Sequence, residues 1–140
     1  MSDMDESKMS GEAKIAITST GKEPESPMDP RFGRCAYFVI VDGSGNMNPV
    51  SNDAKDLSNG AGIQAAKDVV DLKVEAVVTG DVGPNAFRVL SAAGVKVFVG
   101  GSGTIREALE KYKGGSLREA SSSTSPGHHG MGGGRRGNRQ

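Results

Sequence analysis

Two arginines and the only cysteine of the chain lie close together, in the stretch that contains Arg31, Arg34 and Cys35. Positive charges beside a thiol favour the thiolate, which is a soft metal ligand. We therefore predict that Cys35 is a partly exposed thiol with a lowered pKa and that it binds metal. The alternative is that Cys35 is a small buried apolar residue, and that the arginines pair with Asp29 and Asp81.

Glycines stand where predicted strands end and predicted helices begin. Helix N-termini offer unpaired N–H groups and the positive end of the helix dipole, and glycine lets a ligand approach the backbone. The alternative is that these glycines are simply turn residues. No dinucleotide fingerprint is formed, because Arg106 stands where its third glycine belongs. We predict a cluster- or anion-binding edge formed by Arg31, Gly33, Arg34, Cys35, Gly60, Gly62, Gly80, Gly83, Gly101 and Gly103.

The composition excludes several classes of function. The 140 residues include 17 Lys and Arg and 17 Asp and Glu, so no net charge attracts the protein to nucleic acid or to a membrane surface. One cysteine cannot form an internal disulfide. No apolar run approaches the ~20 residues of a membrane span, and the N-terminus lacks signal-peptide features. We predict a cytoplasmic protein that binds neither nucleic acid nor membrane.

Polar segments flank the part of the chain that can form a core. We predict a disordered acidic N-terminus at residues 1–12, an α/β domain at 13–118 and a disordered tail rich in Gly, His and Arg at 119–140. The tail carries His128 and His129, which we predict as further metal ligands. The alternative is that both histidines are solvated, since two adjacent histidines do not form a specific site alone.

The hydrophobic pattern predicts five strands and three helices. Strands are expected at 13–18, 36–41, 47–51, 75–79 and 95–99, and helices at 60–72, 84–93 and 104–112. Right-handed crossovers then give a mixed sheet of order 3-2-1-4-5, with strand 2 antiparallel and helices on both faces. Segments 19–35, 52–62, 80–84 and 100–104 would share one sheet edge, and ligands bind outside such strand ends.

Four segments resemble the dinitrogenase iron–molybdenum cofactor biosynthesis family, which includes NifX-type proteins and the C-terminal domain of NifB. They read DPRFGRCAYFVIVD at 29–42, NGAGIQAA at 59–66, TGDVGPNAF at 79–87 and GTIREAL at 103–109. The resemblance covers about residues 13–118. It implies a three-layer ribonuclease H-like α/β fold and binding of iron–sulfur or molybdenum-containing clusters.

We expect a carrier and not an enzyme. The expected cargo is a transiently bound iron–sulfur or molybdenum/iron–sulfur cluster or its precursor, and the expected partners are metallocluster assembly proteins or a cluster acceptor. A nuclease would need clustered carboxylates that hold two metal ions, and the first strand has no acid. The alternative is a module that binds no metal and instead holds a protein partner or a small anion at the glycine-rich edge.

Overall fold

The computed structural model describes residues 14–100 and 102–121. Among these residues, no helix is long and apolar enough to cross a membrane. The elements are β1 (Ile15–Ser19), β2 (Tyr37–Val41), β3 (Met47–Ser51), a 3₁₀ helix (Asp53–Asp56), α1 (Ala61–Asp71), β4 (Ala76–Val78), α2 (Pro84–Ala92), β5 (Lys96–Val99), α3 (Ile105–Lys113) and β6 (Arg118–Glu119).

The strands form one mixed sheet of order β3-β2-β1-β4-β5-β6. β1 pairs in parallel with β4, and β4 with β5, whereas β2 is antiparallel to both β1 and β3. The predicted order of the first five strands and the antiparallel β2 are therefore confirmed. Helices cover both faces, which confirms the three-layer ribonuclease H-like class.

The prediction of five strands is wrong by one, because β6 pairs antiparallel with β5. Its residues, Arg118 and Glu119, are both exposed, so no apolar alternation marks a strand there. Ala120 follows it, is buried, and donates its backbone N–H to the carbonyl of Val97 at 2.8 Å. The folded part thus continues past the predicted boundary at 118. The segments 1–12 and 122–140, predicted to be disordered, lie outside the described residues.

Each face of the sheet has its own apolar core. All five residues of β1 are buried, because this central strand is covered on both faces. Ala16, Phe38 and Val77 pack in the core that α1 and α2 cover. Ile17 and Val78 pack on the opposite face, in the core that α3 covers with Ile105, Ala108 and Leu109. α1 and α2 therefore start side by side on one face, and α3 starts on the other.

Candidate functional site

The first half of the loop after β1 covers the start of α3. The backbone N–H groups of Ile105 and Arg106 donate to the carbonyls of Ser26 and Pro24 at 3.0 and 2.9 Å. The N–H of Glu107 donates to the Thr104 hydroxyl at 3.1 Å, in a capping box. These donors are occupied within the protein, so the N-terminus of α3 offers no open anion site.

Gly103, one of the predicted glycines, lies just before this covered helix start. Gly103 has a φ of 84°, and its carbonyl accepts the N–H of Met28 at 2.8 Å. It lies on the α3 face, away from Gly33, Gly60, Gly62 and Gly83, so the structure does not bring it to the same site as these glycines. Gly101 lies outside the described residues.

Gly80 allows close packing between the end of β4 and the loop that contains Pro30. A Cβ added at Gly80 would lie 2.6 Å from the Cβ of Pro30 and 2.8 Å from its Cα. The next residue, Asp81, donates its backbone N–H to the Pro30 carbonyl at 2.8 Å. Glycine is thus required at position 80 because the loop that carries Arg31 and Arg34 approaches β4 closely there.

The second half of the same loop forms one wall of a cleft with a volume of about 410 Å³. The starts of α1 and α2 form the other walls. Six predicted site residues line this cleft, namely Arg31, Gly33, Arg34, Gly60, Gly62 and Gly83. Phe32, Ala61, Ile63, Asp81, Pro84, Asn85 and Ala86 complete the lining. The predicted convergence of the loop with two glycine-containing helix starts is therefore present, whereas a binding role for these residues stays a prediction.

Small residues allow the walls of the cleft to pack closely against one another. A Cβ at Gly33 would lie 3.0 Å from the Cα of Gly62 and 3.1 Å from its backbone nitrogen. A Cβ at Gly62 would in turn lie 3.6 Å from the Cβ of Ala86 in α2. The loop therefore rests directly on the first turn of α1, and α1 rests on the first turn of α2.

The two helix starts at the cleft have no side-chain cap. α1 begins after Gly60, which has a φ of 76°, and α2 begins after Gly83 with Pro84 in its first turn. In neither case does the N-cap residue accept a hydrogen bond with its side chain. First-turn N–H groups have no partner within their own helix, so both helices present donors and positive dipole ends at the cleft.

The side chain of Arg31 is bound by the carboxylate of Asp29, which lies two residues earlier in the same loop. The carboxylate of Asp29 accepts Nε of Arg31 at 3.1 Å, Nη2 at 3.0 Å and the backbone N–H of Arg31 at 2.9 Å. Burial by itself raises the pKa of Asp29, but the hydrogen bonds and charge of Arg31 outweigh it and hold this pKa below its usual value. The charge of Arg31 is therefore largely balanced by Asp29.

Arg34 has a different set of partners. Its Nη1 donates to the carbonyls of Lys55 and Leu57 at 2.7 and 2.9 Å, at the end of the 3₁₀ helix. Within the described part of the chain, Arg34 forms no ion pair, and neither does the carboxylate of Asp81. Among the described residues, the cleft lining thus includes one cation, Arg34, and one anion, Asp81, that have no ion-pair partner.

The prediction of an exposed, acidic thiol at Cys35 is wrong. Cys35 is fully buried, and its Sγ donates to the carbonyl of Phe32 at 3.4 Å. Burial, followed by the negative charge of Asp29, raises the pKa of Cys35 to about 12. The arginines do not offset this effect, because one guanidinium is bound to Asp29 and the other to backbone carbonyls. Cys35 is a core residue and does not line the cleft.

Side-chain metal ligands are sparse in the described residues. No group of three or more His, Cys, Asp or Glu residues there could hold a metal ion. His128 and His129 lie outside the described residues, so their predicted role is untested. The cleft residues that the sequence did not single out, including Ile63 and Asn85, carried no signal apart from their position after a glycine at a helix start.

A family model described as dinitrogenase iron–molybdenum cofactor matches residues 13–115. The apo form of the orange protein from Desulfovibrio gigas is 37% identical, with a TM-score of 0.78, covering 81% of this chain and 97% of that protein. A putative NifB protein from Thermotoga is 40% identical, with a TM-score of 0.73, covering 82% of this chain and 99% of that protein.

A third relative is an uncharacterized protein of Methanocaldococcus jannaschii. It is 27% identical over 96 residues, which amount to 66% of this chain and 81% of that protein. The family match spans strands β1 to β5, helices α1 to α3 and every residue that lines the cleft, whereas β6 lies beyond it. The chain therefore belongs to the dinitrogenase iron–molybdenum cofactor family.

Proposed function

We propose that this protein binds and carries an anionic metal–sulfur cluster, or a precursor of one, in metallocluster assembly or storage. The observation that carries the proposal is the cleft where the loop with Arg31 and Arg34 meets the uncapped starts of α1 and α2. The family match supports a cargo of the iron–sulfur or molybdenum/iron–sulfur type. The similarity to a protein solved in an apo form supports a cargo that can be removed.

The cargo is held by hydrogen bonds and not by a thiolate. Sulfide atoms on the surface of a cluster carry negative charge, and they accept hydrogen bonds from backbone N–H groups and guanidinium groups. Such charge-assisted hydrogen bonds are about twice as strong as neutral ones. The buried thiol of Cys35, with its raised pKa, is not available as a ligand. Because no metal–thiolate bond has to break, this mode of binding suits transient carriage and release.

The cleft has a size and a position that suit this role. Small-molecule sites commonly have volumes of roughly 300–1,000 Å³, and this cleft has about 410 Å³. It lies at the carboxyl end of the parallel strands, where open α/β sheets bind ligands. We propose that metallocluster assembly proteins supply the cargo and that a cluster acceptor receives it. The proposal assigns no catalytic residue.

The second candidate function is the binding of a small anion that contains no metal. The charge of the cleft supports this candidate, since Asp29 balances Arg31, and Asp81, which has no ion pair among the described residues, adds a negative charge to the same cleft as Arg34. A less highly charged anion would then be held mainly by backbone N–H groups of α1 and α2. Phosphate and sulfate are suitable probes for this alternative.

Anaerobic reconstitution tests the proposal. The full-length protein is incubated with ferrous iron and sulfide, or with tetrathiomolybdate, and the bound metal and sulfide are measured after desalting. We expect Arg34→Gln to lower the loading, because it removes the uncompensated cation of the cleft. Arg88→Gln, which removes an exposed arginine outside the cleft, and Cys35→Ala should load like the parent protein.

Two results would count against the proposal. Loss of the cargo in Cys35→Ala together with retention in Arg34→Gln would identify a thiolate site instead of the cleft. Binding of phosphate or sulfate at the cleft, with no uptake of either metal–sulfur probe, would favour the second candidate function.

A further inference from the structure

The side chain of Asn52 is buried beneath the loop that forms the arginine-bearing wall of the cleft. Asn52 is 1% exposed. Its Nδ2 donates to the carbonyls of Gly33 and Cys35 at 3.2 and 2.8 Å, and its Oδ1 accepts the backbone N–H of Ala54 at 3.2 Å. These two carbonyls flank Arg34 in the sequence, so a single amide group holds the backbone on both sides of that arginine.

The side chain of Arg34 in turn donates hydrogen bonds to the segment that contains Asn52. Its Nη1 binds the carbonyls of Lys55 and Leu57, which lie at the end of the same 3₁₀ helix whose start Asn52 caps. Segments 33–35 and 52–57 are therefore joined by side-chain-to-backbone hydrogen bonds from both sides. One nitrogen of the Arg34 guanidinium, Nη1, makes both of these bonds. Nε and Nη2 bind no other residue among positions 14–100 and 102–121, so within this part of the chain they can donate to a ligand in the cleft.

The position of segment 33–35 determines the shape of the cleft. Gly33 contacts the backbone of Gly62 so closely that a Cβ would approach it to 3.0 Å. A displacement of this segment would consequently move the wall of the cleft away from the first turn of α1, and it would carry Arg34 with it.

We infer that Asn52 is a positioning residue that holds Arg34 and the Gly33 wall in the geometry that the cargo requires. The identity of the cargo rests on the proposed function, whereas the positioning of Arg34 and Gly33 by Asn52 does not. Asparagine is suited to the position because its amide supplies two N–H donors for the two carbonyls and an oxygen acceptor for Ala54 at the same time. An ionised aspartate of nearly the same shape has no donor and would face the two carbonyl oxygens.

The test compares Asn52→Asp with Asn48→Asp, which introduces the same charge at an exposed position of β3. At neutral pH, we expect Asn52→Asp to shift the backbone amide resonances of Gly33, Arg34 and Gly62 in the absence of cargo. We expect it to weaken tetrathiomolybdate binding by roughly tenfold or more, as befits the loss of hydrogen bonds that hold a charged ligand group. Asn48→Asp should leave both measurements unchanged.

The pH dependence gives a second readout. A carboxyl group at position 52 would face two carbonyls in a buried site, so its pKa in the folded state is raised above the unfolded value of about 3.9. Its proton supplies a donor, so the stability of Asn52→Asp relative to the parent should be highest in acid and should fall as the pH rises through the folded-state pKa of this carboxyl group. The parent and Asn48→Asp should not show this loss.

Several outcomes separate this inference from the proposed function. Unmoved resonances at Gly33, Arg34 and Gly62, or unchanged tetrathiomolybdate affinity in a parent that binds the probe, would overturn it. If the parent binds no tetrathiomolybdate but the resonances of Asn52→Asp still differ from those of the parent, the positioning role is supported and the proposed cargo is not. If Asn52→Asp does not fold, Asn52→Ser replaces it, since a hydroxyl can accept from Ala54 and donate to one carbonyl. Parent-like affinity in Asn52→Ser would likewise overturn the inference.

Discussion

Asp29 binds one edge of the Arg31 guanidinium with both carboxylate oxygens, Oδ1 accepting from Nε at 3.1 Å and Oδ2 from Nη2 at 3.0 Å. The carboxylate is almost completely buried, whereas the side chain of Arg31 is 67% exposed and lines the cleft. A residue from the interior thus fixes the orientation of a cleft residue. Because Asp29 already orders the side chain of Arg31, less conformational entropy is lost when Arg31 binds a ligand. The same contact also balances the positive charge of Arg31.

The Asp29–Arg31 pair should make stability depend on acid. Because Arg31 outweighs burial and lowers the pKa of Asp29, the pair stabilises the fold above the unfolded pKa of about 3.9, and this contribution is lost as the pH falls through the folded-state pKa. Asp29→Asn should cost about 1–3 kcal/mol at neutral pH and should weaken the acid dependence in urea unfolding. Asp71→Asn, at the exposed end of α1, is the control. Equal acid dependence in Asp29→Asn and the parent would contradict this account.

Cys35 should be inert in the folded protein. Its thiol is fully buried and its pKa is raised to about 12, so the thiolate that reacts with iodoacetamide is scarcely populated at pH 8. We expect alkylation, followed by mass spectrometry, to be at least ~100-fold slower in buffer than in denaturant, where burial no longer suppresses the thiolate. Comparable rates in the two conditions would show that the thiol is accessible in the folded state.

Asp81 should oppose the binding of simple anions. It lines the cleft and has no ion pair within the described part of the chain. Asp81→Asn should therefore raise the affinity for tetrathiomolybdate roughly two- to fivefold at low salt, as expected for one exposed charge, and the gain should shrink at 0.15 M salt, where the screening length is about 8 Å. Asp68→Asn, on the partly exposed side of α1, provides the control. A weaker complex in Asp81→Asn would mean that the carboxylate contacts a donor or a metal of the cargo.

Two glycines of the cleft should respond in opposite ways to alanine. In Gly33→Ala, the new Cβ would lie 3.0 Å from the backbone of Gly62, so we expect a loss of about 1–3 kcal/mol in the free energy of unfolding. In Gly62→Ala, the new Cβ has ordinary contact with Ala86 at 3.6 Å, and alanine is favoured in a helix by up to about 1 kcal/mol. Chemical denaturation measures both. The reverse order of stabilities would show that the loop does not rest on α1 as described.

The sequence by itself determined the order of the elements and most of the sheet. Apolar periodicity is a local signal, and the handedness of crossovers leaves few topologies for alternating strands and helices. These two constraints were sufficient to bring Arg31, Arg34, Gly60 and Gly83 to one cleft. They were not sufficient for β6, because two exposed charged residues pair with β5 only through backbone groups that carry no side-chain pattern.

The tertiary structure alone decided the chemistry of the site. Cys35 follows Arg34 directly and Arg31 by four positions in the sequence, but Asp29 binds the guanidinium of Arg31, and the carbonyls of Lys55 and Leu57 bind that of Arg34. Burial, followed by the negative charge of Asp29, therefore raises the pKa of the thiol, whereas the sequence predicted a lowered pKa. Likewise, the covering of the α3 start by the loop depends on contacts between residues that are distant in the sequence, Ile105 with Ser26 and Arg106 with Pro24. Burial, charge pairing and the availability of a helix end depend on which distant groups pack together, and the neighbours of a residue along the chain do not specify them.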